Sequence, residues 1–311
     1  MKRQIKKSFD ELRKNSKKLK IILYGNFACN NNCIYCACNE RRGFSDFNFI
    51  KKYITKHRKY SDFIGLSGGE PTIHPNFFYM LKLISKLRFK TVEIQTNGRM
   101  FAYKDFCEKV VKMNIIDIFV VSLNSLDEKM NMVRMRGGHN EAIRGIKNLK
   151  KFKQKVFINT VVCRKNYRDL EKIVKNFINL KVDYINLIFM RPTGTAGKNF
   201  DNLVVEIKKV LPFVKKSINL CKKEGIVCLA EGIPYCLMKG YEKNISEIYN
   251  PPKIRVIEKK LLEPNKDLFS KDYKRKGKMC KKCKYDTICE GIWKEYAKRK
   301  GFSELTPVSS I

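Results

Sequence analysis

No stretch of this 311-residue chain approaches the ~20 consecutive apolar residues that a membrane-spanning helix needs, so no helical span is expected. No secretory leader is expected either. The N-terminus, MKRQIKKSFDELRKNSKKLK, starts charged but lacks the apolar segment such leaders carry. Ile5, Phe9 and Leu12 fall at helical spacing there, and residues 1–18 are expected to form a basic amphipathic helix docked on the body. Acidic residues are scarce, 30 Asp and Glu against 66 Lys and Arg, giving a formal charge of +36. That sign directs attention to an anionic partner such as RNA, a nucleotide or an acidic lipid. The lysines, however, are spread along the whole chain. An even spread fits a compositional bias of the source better than a binding stripe, so nucleic acid is not the favoured partner. No internal repeat is found beyond the alternation of strands and helices.

What is present in quantity is cysteine. Twelve cysteines without an export signal argue for reduced thiols and metal ligation in the cytoplasm, not for a disulfide framework. With 43% hydrophobic residues the chain should be globular, and its length fits one large domain plus a smaller appendage. Cys29, Cys33 and Cys36 stand at CxxxCxxC spacing in NFACNNNCIYCACNE, residues 26–40. Closed structural zinc sites take four ligands, and iron–sulfur cubanes are normally held by four cysteines. Three thiolates on one loop would leave one iron open to a substrate or cofactor. Cys38 makes a CxC pair with Cys36, which on a tight loop cannot easily reach a separate corner of the same cube, so it is read as structural.

Read in order, the chain alternates apolar strands with amphipathic helices. Strands are expected at Ile21–Gly25, Asp62–Ser67, Thr91–Gln95, Asp117–Leu123, Val156–Val162 and Tyr184–Phe189. Helices are expected after the Asp46 N-cap, then over Asn76–Leu87, Tyr103–Met113, Asn140–Phe152 and Asp169–Leu180. Such alternation implies a parallel sheet covered by helices, either doubly wound or closed toward a barrel. In both, ligands collect at the carboxyl ends of the strands. The cysteines, Gly68-Gly69-Glu70, Thr96-Asn97-Gly98 and Ser122-Leu123-Asn124 all lie at such ends. A turn is expected at Pro192–Thr195, a long helix over Asp201–Glu224 with a kink at Pro212, a further short strand at Ile226–Ala230, and irregular chain from Cys236 to Lys278.

The CxxxCxxC loop after a first strand, with Tyr35 before its last cysteine and GGEP after the second strand, resembles the radical S-adenosylmethionine superfamily. The likeness runs from about Leu19 to Ala196. It implies an α/β fold, a partial (β/α)6 TIM-like barrel over residues 19–225, and a [4Fe-4S] cluster on Cys29, Cys33 and Cys36. It also implies S-adenosylmethionine bound at the fourth iron, a low-potential electron donor such as a flavodoxin or ferredoxin, and a 5′-deoxyadenosyl radical that abstracts hydrogen from substrate. On the same likeness Glu70 would accept from the cofactor's amine, and Gly68 and Gly69 would let backbone approach it. Tyr35, Asn97, Ser122, Asn124 and Asn159 would serve its polar groups, and Arg134 or Arg136 its carboxylate. His74 and His139 are read as surface or capping residues.

A second signature, Cys280, Cys283 and Cys289 in CKKCKYDTICEG, resembles the SPASM and twitch extensions of that superfamily. Residues 226–311 are accordingly expected to form a twitch-like domain with one auxiliary [4Fe-4S] cluster, Cys236 supplying the fourth ligand. The SPASM pattern expects another cysteine where Trp293 stands. A zinc site on the same four cysteines is the alternative, with Cys221 and Cys228 in reserve; Cys107 and Cys163 are read as buried small hydrophobes. The resemblance implies an enzyme, a ribosomal peptide or protein maturase first. Small-molecule oxidation, a step of cofactor synthesis, RNA modification and a non-catalytic electron carrier are the alternatives.

Overall fold

The computed structural model describes residues 20–37, 43–127, 138–249, 254–257 and 273–309. The expected N-terminal helix, Cys38, Arg134 and Arg136 lie outside them. Seven strands follow in chain order: β1 (Lys20–Asn26), β2 (Phe63–Gly68), β3 (Thr91–Thr96), β4 (Ile118–Ser122), β5 (Val156–Val162), β6 (Tyr184–Phe189) and β7 (Val227–Glu231). The helices between them are α1 (Phe47–Arg58), α2 (Phe77–Lys86), α3 (Lys104–Lys112), α4 (Gly138–Lys151), α5 (Leu170–Asn179), the short α6 (Gly194–Lys198) and α7 (Phe200–Leu203), and α8 (Ile207–Lys223). Every strand pairs parallel with its sequence neighbour, so the sheet winds in one direction from β7 to β1. This is the α/β architecture of a partial barrel.

The strands are two-faced. Along β5, Val156, Ile158, Thr160 and Val162 are buried under the helices, while Phe157, Asn159 and Val161 on the other face are only half-buried. Period-two alternation of this kind separates a helix-covered face from a concave face. Register carries that face across the sheet, from Ser122 to Asn159 to Asn186. The helices bury matching stripes. In α5, Leu170, Ile173, Val174 and Phe177 are at most 1% exposed, each contributing about 2 kcal/mol by burial.

Four expectations change. An eighth strand, β8 (Ile254–Ile257), pairs parallel with β1 inside the stretch read as irregular. Four residues flanked by prolines and lysines are too few to show a period, and their partner is more than two hundred residues away. Because β7 and β8 both belong to the barrel sheet, the expected boundary at residues 225/226 cuts through one sheet. The turn at Pro192–Thr195 leads at once into α6, and the long helix over 201–224 is broken into α7 and α8, with Pro212 inside α8.

Beyond β8, the last segment forms a two-stranded antiparallel ribbon, β9 (Lys274–Arg275) with β10 (Ile292–Trp293), and a final helix α9 (Lys294–Lys300). It docks on the carboxyl ends of β6 and β7. Trp293, standing where a further cysteine was expected, donates its Nε1–H to the Phe189 carbonyl at 2.9 Å. Gly232, at φ 78°, leaves room for that indole, since a Cβ there would sit 2.7 Å from Trp293 Nε1. Tyr296 packs edge-on against Phe189.

One ion cluster locks this docking. Lys274, its side chain 2% exposed, pairs with Glu247 and with Glu290 at 2.9 Å. Burial alone pushes its pKa down, and the two carboxylates more than reverse that. Lys274→Met should destabilise the protein by about 3 kcal/mol, because two partly buried carboxylates lose their cation, an effect that a urea midpoint measures.

Candidate active site

β1 ends in Asn26, and the chain then turns across the mouth of the barrel. Phe27 and Ala28 donate their N–H groups to the Gly43 carbonyl at 3.1 and 3.2 Å. On the other side, Gly69 N–H donates to the Asn26 carbonyl at 2.7 Å and Glu70 N–H to the Ala28 carbonyl at 2.8 Å. The Asn26 amide donates to the carbonyls of Ala28 and Glu70 at 2.8 and 3.0 Å. The GGE segment is therefore zipped to the cysteine loop by backbone. A Cβ on Gly68 would stand 2.4 Å from Asn26 O, and one on Gly69 would stand 2.1 Å from Ala28 O. The two glycines thus admit the close approach of the cysteine loop itself.

Glu70 is fully buried. Its Oε1 accepts from Thr72 N–H at 3.2 Å, Thr72 Oγ1 at 2.6 Å and Thr96 Oγ1 at 2.7 Å, and its Oε2 accepts from Asn97 N–H at 2.6 Å. Burial pushes the carboxyl up, and the four donors oppose it. The carboxylate fastens the ends of β2 and β3 together beside Cys29. Asn97 continues the link. Its amide donates to Asn30 Oδ1 at 2.6 Å and lies 3.9 Å from Cys29 Sγ, while Asn31 N–H donates to the same sulfur at 3.3 Å. Burial pushes the Cys29 thiol up, Asn31 opposes, and the charges of Glu70 and Cys33 add to the rise.

Cys29, Cys33 and Cys36 are all partly exposed. Cys36 N–H donates to the Cys33 carbonyl at 3.2 Å, closing a turn between the two cysteines. The far end of the loop is held by the segment after β6. Ala196 N–H donates to the Cys36 carbonyl at 3.0 Å, Thr193 Oγ1 to Ala37 O at 3.2 Å, and the Asn199 amide to Ile34 O at 3.3 Å. The loop is thereby fixed at both ends, and its three thiols are a donor set that fits a cluster held at three corners.

Other expected site residues fall into place unevenly. Ser122 and Asn159 are half-buried neighbours on the concave face. Asn124 is buried and accepts from Val161 N–H at 3.0 Å, extending the β4–β5 ladder where the strands part. Tyr35 is 9% exposed and packs in the main core. His74 and His139 are buried and bond the carbonyls of Ser45 and Leu126. Arg99 and Glu141 escaped the sequence reading. Arg99 pairs with Glu141 and donates to Asn30 O and Asn31 Oδ1, tying α4 to the cysteine loop. Its one sequence signal is its position two residues past Asn97.

Residues 23–177, about half of the chain, match the family model described as the radical SAM superfamily. The chain belongs to the radical SAM superfamily. A probable GTP 3',8-cyclase from Saccharolobus islandicus is 29% identical over 186 residues, 56% of this chain and 59% of that protein. The tungsten-containing aldehyde ferredoxin oxidoreductase cofactor-modifying protein of Pyrococcus furiosus is 27% identical over 195 residues, 57% of this chain and 53% of that protein. The chain thus spans under two thirds of the length of these curated relatives. Among solved structures, Streptococcus suis SuiB bound to precursor peptide SuiA matches at TM-score 0.68 and 18% identity, covering 98% of this chain and 79% of that one. The structure titled native anSMEcpe with bound AdoMet and Cp18Cys peptide matches at TM-score 0.64 and 18% identity, covering 93% of each. These likenesses extend the radical SAM fold to the chain's C-terminal segment.

In this radical SAM chain the distal cysteines also meet. Cys236 lies on a short turn after β7, and its thiol is pushed up to about 11 by burial, with the charges of Cys289, Cys283 and Cys280 adding. Cys283 N–H donates to the Cys280 carbonyl at 2.9 Å, Gly291 N–H to Cys289 Sγ at 3.4 Å, and Val308 N–H to Cys283 Sγ at 3.4 Å. Cys221 and Cys228 are free thiols hydrogen-bonded to each other between α8 and β7. Cys107 and Cys163 are buried at 0% and 2% exposure. Among the described residues no three His, Cys, Asp or Glu side chains converge tightly enough for a single metal ion. Tetrahedral zinc needs its sulfurs about 3.8 Å apart.

Proposed function

We propose that this radical SAM enzyme modifies a peptide or protein substrate, most simply a ribosomally made precursor. The observation that carries the reading is the extent of likeness. SuiB with its precursor peptide covers 98% of this chain, the cysteine-rich C-terminal segment included, whereas the cyclase likeness covers 56%. In this reading Cys29, Cys33 and Cys36 hold a [4Fe-4S] cluster. Four cysteines, Cys236, Cys280, Cys283 and Cys289, hold an auxiliary cluster in a twitch-like segment on the barrel, with zinc on the same four as the alternative. When bound, the first cluster and S-adenosylmethionine supply one-electron reductive cleavage and a 5′-deoxyadenosyl radical.

The chain's own residues do the positioning. Glu70 and Asn97 brace the cysteine loop, and Oε2 of Glu70, which accepts a single bond, is the face offered to the cofactor's amine. Ser122 and Asn159 offer the concave face neutral hydrogen-bonding groups for ribose hydroxyls. A flavodoxin or ferredoxin would supply the electron, and cysteines that serve as metal ligands suit a reducing, cytoplasmic setting.

The test is anaerobic incubation of the reconstituted enzyme with S-adenosylmethionine, dithionite and synthetic peptides from short reading frames beside its gene. The reading expects 5′-deoxyadenosine formation stimulated by one peptide, with a mass change in that peptide. Stimulation by GTP with no response to any peptide would move the assignment to small-molecule chemistry. Metal analysis should return about eight irons and no zinc per chain.

A further inference from the structure

Opposite the β1–β3 side of the barrel, where Glu70 and Asn97 brace the cysteines, the concave face of β6 and β7 carries a second polar constellation that the cluster does not use. Asn186 of β6 is 6% exposed, and its Nδ2 donates to Glu231 Oε2 at 3.0 Å. That bond fixes the amide's orientation and turns Oδ1 the other way. Asn186 Oδ1 is buried and has no hydrogen-bond partner among the described residues. A buried carbonyl oxygen left without a donor costs about 1–3 kcal/mol, so the site is incomplete as it stands. Glu231, the last residue of β7, is half-buried on the same face. Burial and the charge of Glu247 push its carboxyl up. Register sets Asn186 beside Asn159, and the segment after β6 bonds the cysteine loop. Asn186 thus lies on the concave face, and Glu231 stands at the carboxyl end of β7, the end of the sheet at which the cysteine loop is held.

We propose that Asn186 Oδ1 and the Glu231 carboxylate form a substrate subsite for a planar N–H donor edge, the guanidinium of an arginine side chain or the donor edge of guanine. Two acceptors on adjacent strands match a rigid array of coplanar donors better than a compact ammonium, and guanidinium is the more weakly hydrated cation at a half-buried site. The local charge balance agrees. Glu231 interacts with Glu247, Glu290 and Lys274, and Lys274 is paired with Glu247 and Glu290. In a chain with a formal charge of +36, three carboxylates gathered around one lysine suit a positive or donor-rich group. This subsite rests on the reading of the chain as a radical SAM enzyme acting on a peptide, or on a nucleotide.

Calorimetric titration of the reconstituted holoenzyme, saturated with S-adenosylmethionine, tests it with paired probes. Nα-acetyl-L-arginine methylamide is compared with its citrulline counterpart, and guanosine with inosine, which lacks the 2-amino donor. The expected result is that the donor-rich member of one pair binds about tenfold or more tighter than its partner. Glu231→Gln should erase that preference. The arginine pair reports a peptide source, the guanosine pair a nucleotide. Equal binding or no binding within both pairs, or tighter binding of Nα-acetyl-L-aspartate methylamide, overturns the subsite; if Glu231→Gln fails to fold, the ligand pairs decide alone. Production of 5′-deoxyadenosine by the unsubstituted enzyme tests the underlying reading separately. Product without probe selectivity removes only the subsite, and selectivity without product removes only the reading.

Discussion

Cys33→Ala should abolish 5′-deoxyadenosine formation and remove about four irons per chain, while leaving the protein folded. The asymmetry follows from how the loop is held. Its position is set by main-chain bonds from Phe27, Ala28, Gly69, Glu70 and Ala196, none of which involves the Cys33 side chain. That thiol is only partly buried, so its loss opens a small cavity, on the order of 1 kcal/mol. The cluster, by contrast, loses one of three protein corners. Iron and sulfide analysis, S-adenosylmethionine turnover under dithionite and a urea midpoint read the three quantities. Full turnover by the variant would remove these cysteines from the chemistry.

The parts of this architecture written in local pattern were legible in the sequence. The strands at Val156–Val162 and Tyr184–Phe189 have the expected bounds, because alternation and flanking breakers fix them without reference to other residues. The convergence of the cysteines, Glu70 and Asn97 also followed, since strand ends of a parallel sheet share one rim. What escaped depends on distant partners. Arg99 becomes part of the site through Glu141, 42 residues on, and through Asn30 and Asn31, 69 and 68 residues back. The Lys274–Glu247–Glu290 cluster joins residues with no common period, in a chain where lysine is too frequent for one to stand out. Asn186 and Glu231 lie 45 residues apart and meet only because β6 and β7 pair. The glycines of GGE show the same limit: the sequence pointed to close backbone approach, and the fold adds that the cysteine loop packs against both of them.

Gly69→Ala should therefore be among the most damaging single substitutions in the chain, costing about 3 kcal/mol or more and most of the bound iron. Gly69 is absent from the residues with positive φ, so alanine meets no conformational objection there. The objection is contact. The added Cβ would stand 2.1 Å from Ala28 O and 2.7 Å from the carbonyl carbons of Ala28 and Phe27, all backbone, which cannot swing aside as a side chain can. Relief requires the cysteine loop to lift from the GGE segment, breaking the 2.7 Å and 2.8 Å bonds of Gly69 and Glu70. Glu70 then shifts against Thr72, Thr96 and Asn97, so the strain reaches every group that braces Cys29. Gly240→Ala supplies the control. Its φ of 82° disfavours alanine by about 1–2 kcal/mol, yet a Cβ there meets nothing within 4 Å. The expected order in urea midpoint and in iron content is wild type, then Gly240→Ala, then Gly69→Ala well below. A Gly69→Ala protein as stable and as iron-rich as Gly240→Ala would mean that the loop does not rest on this contact, and that the coupling of Glu70 to the cysteines lies elsewhere.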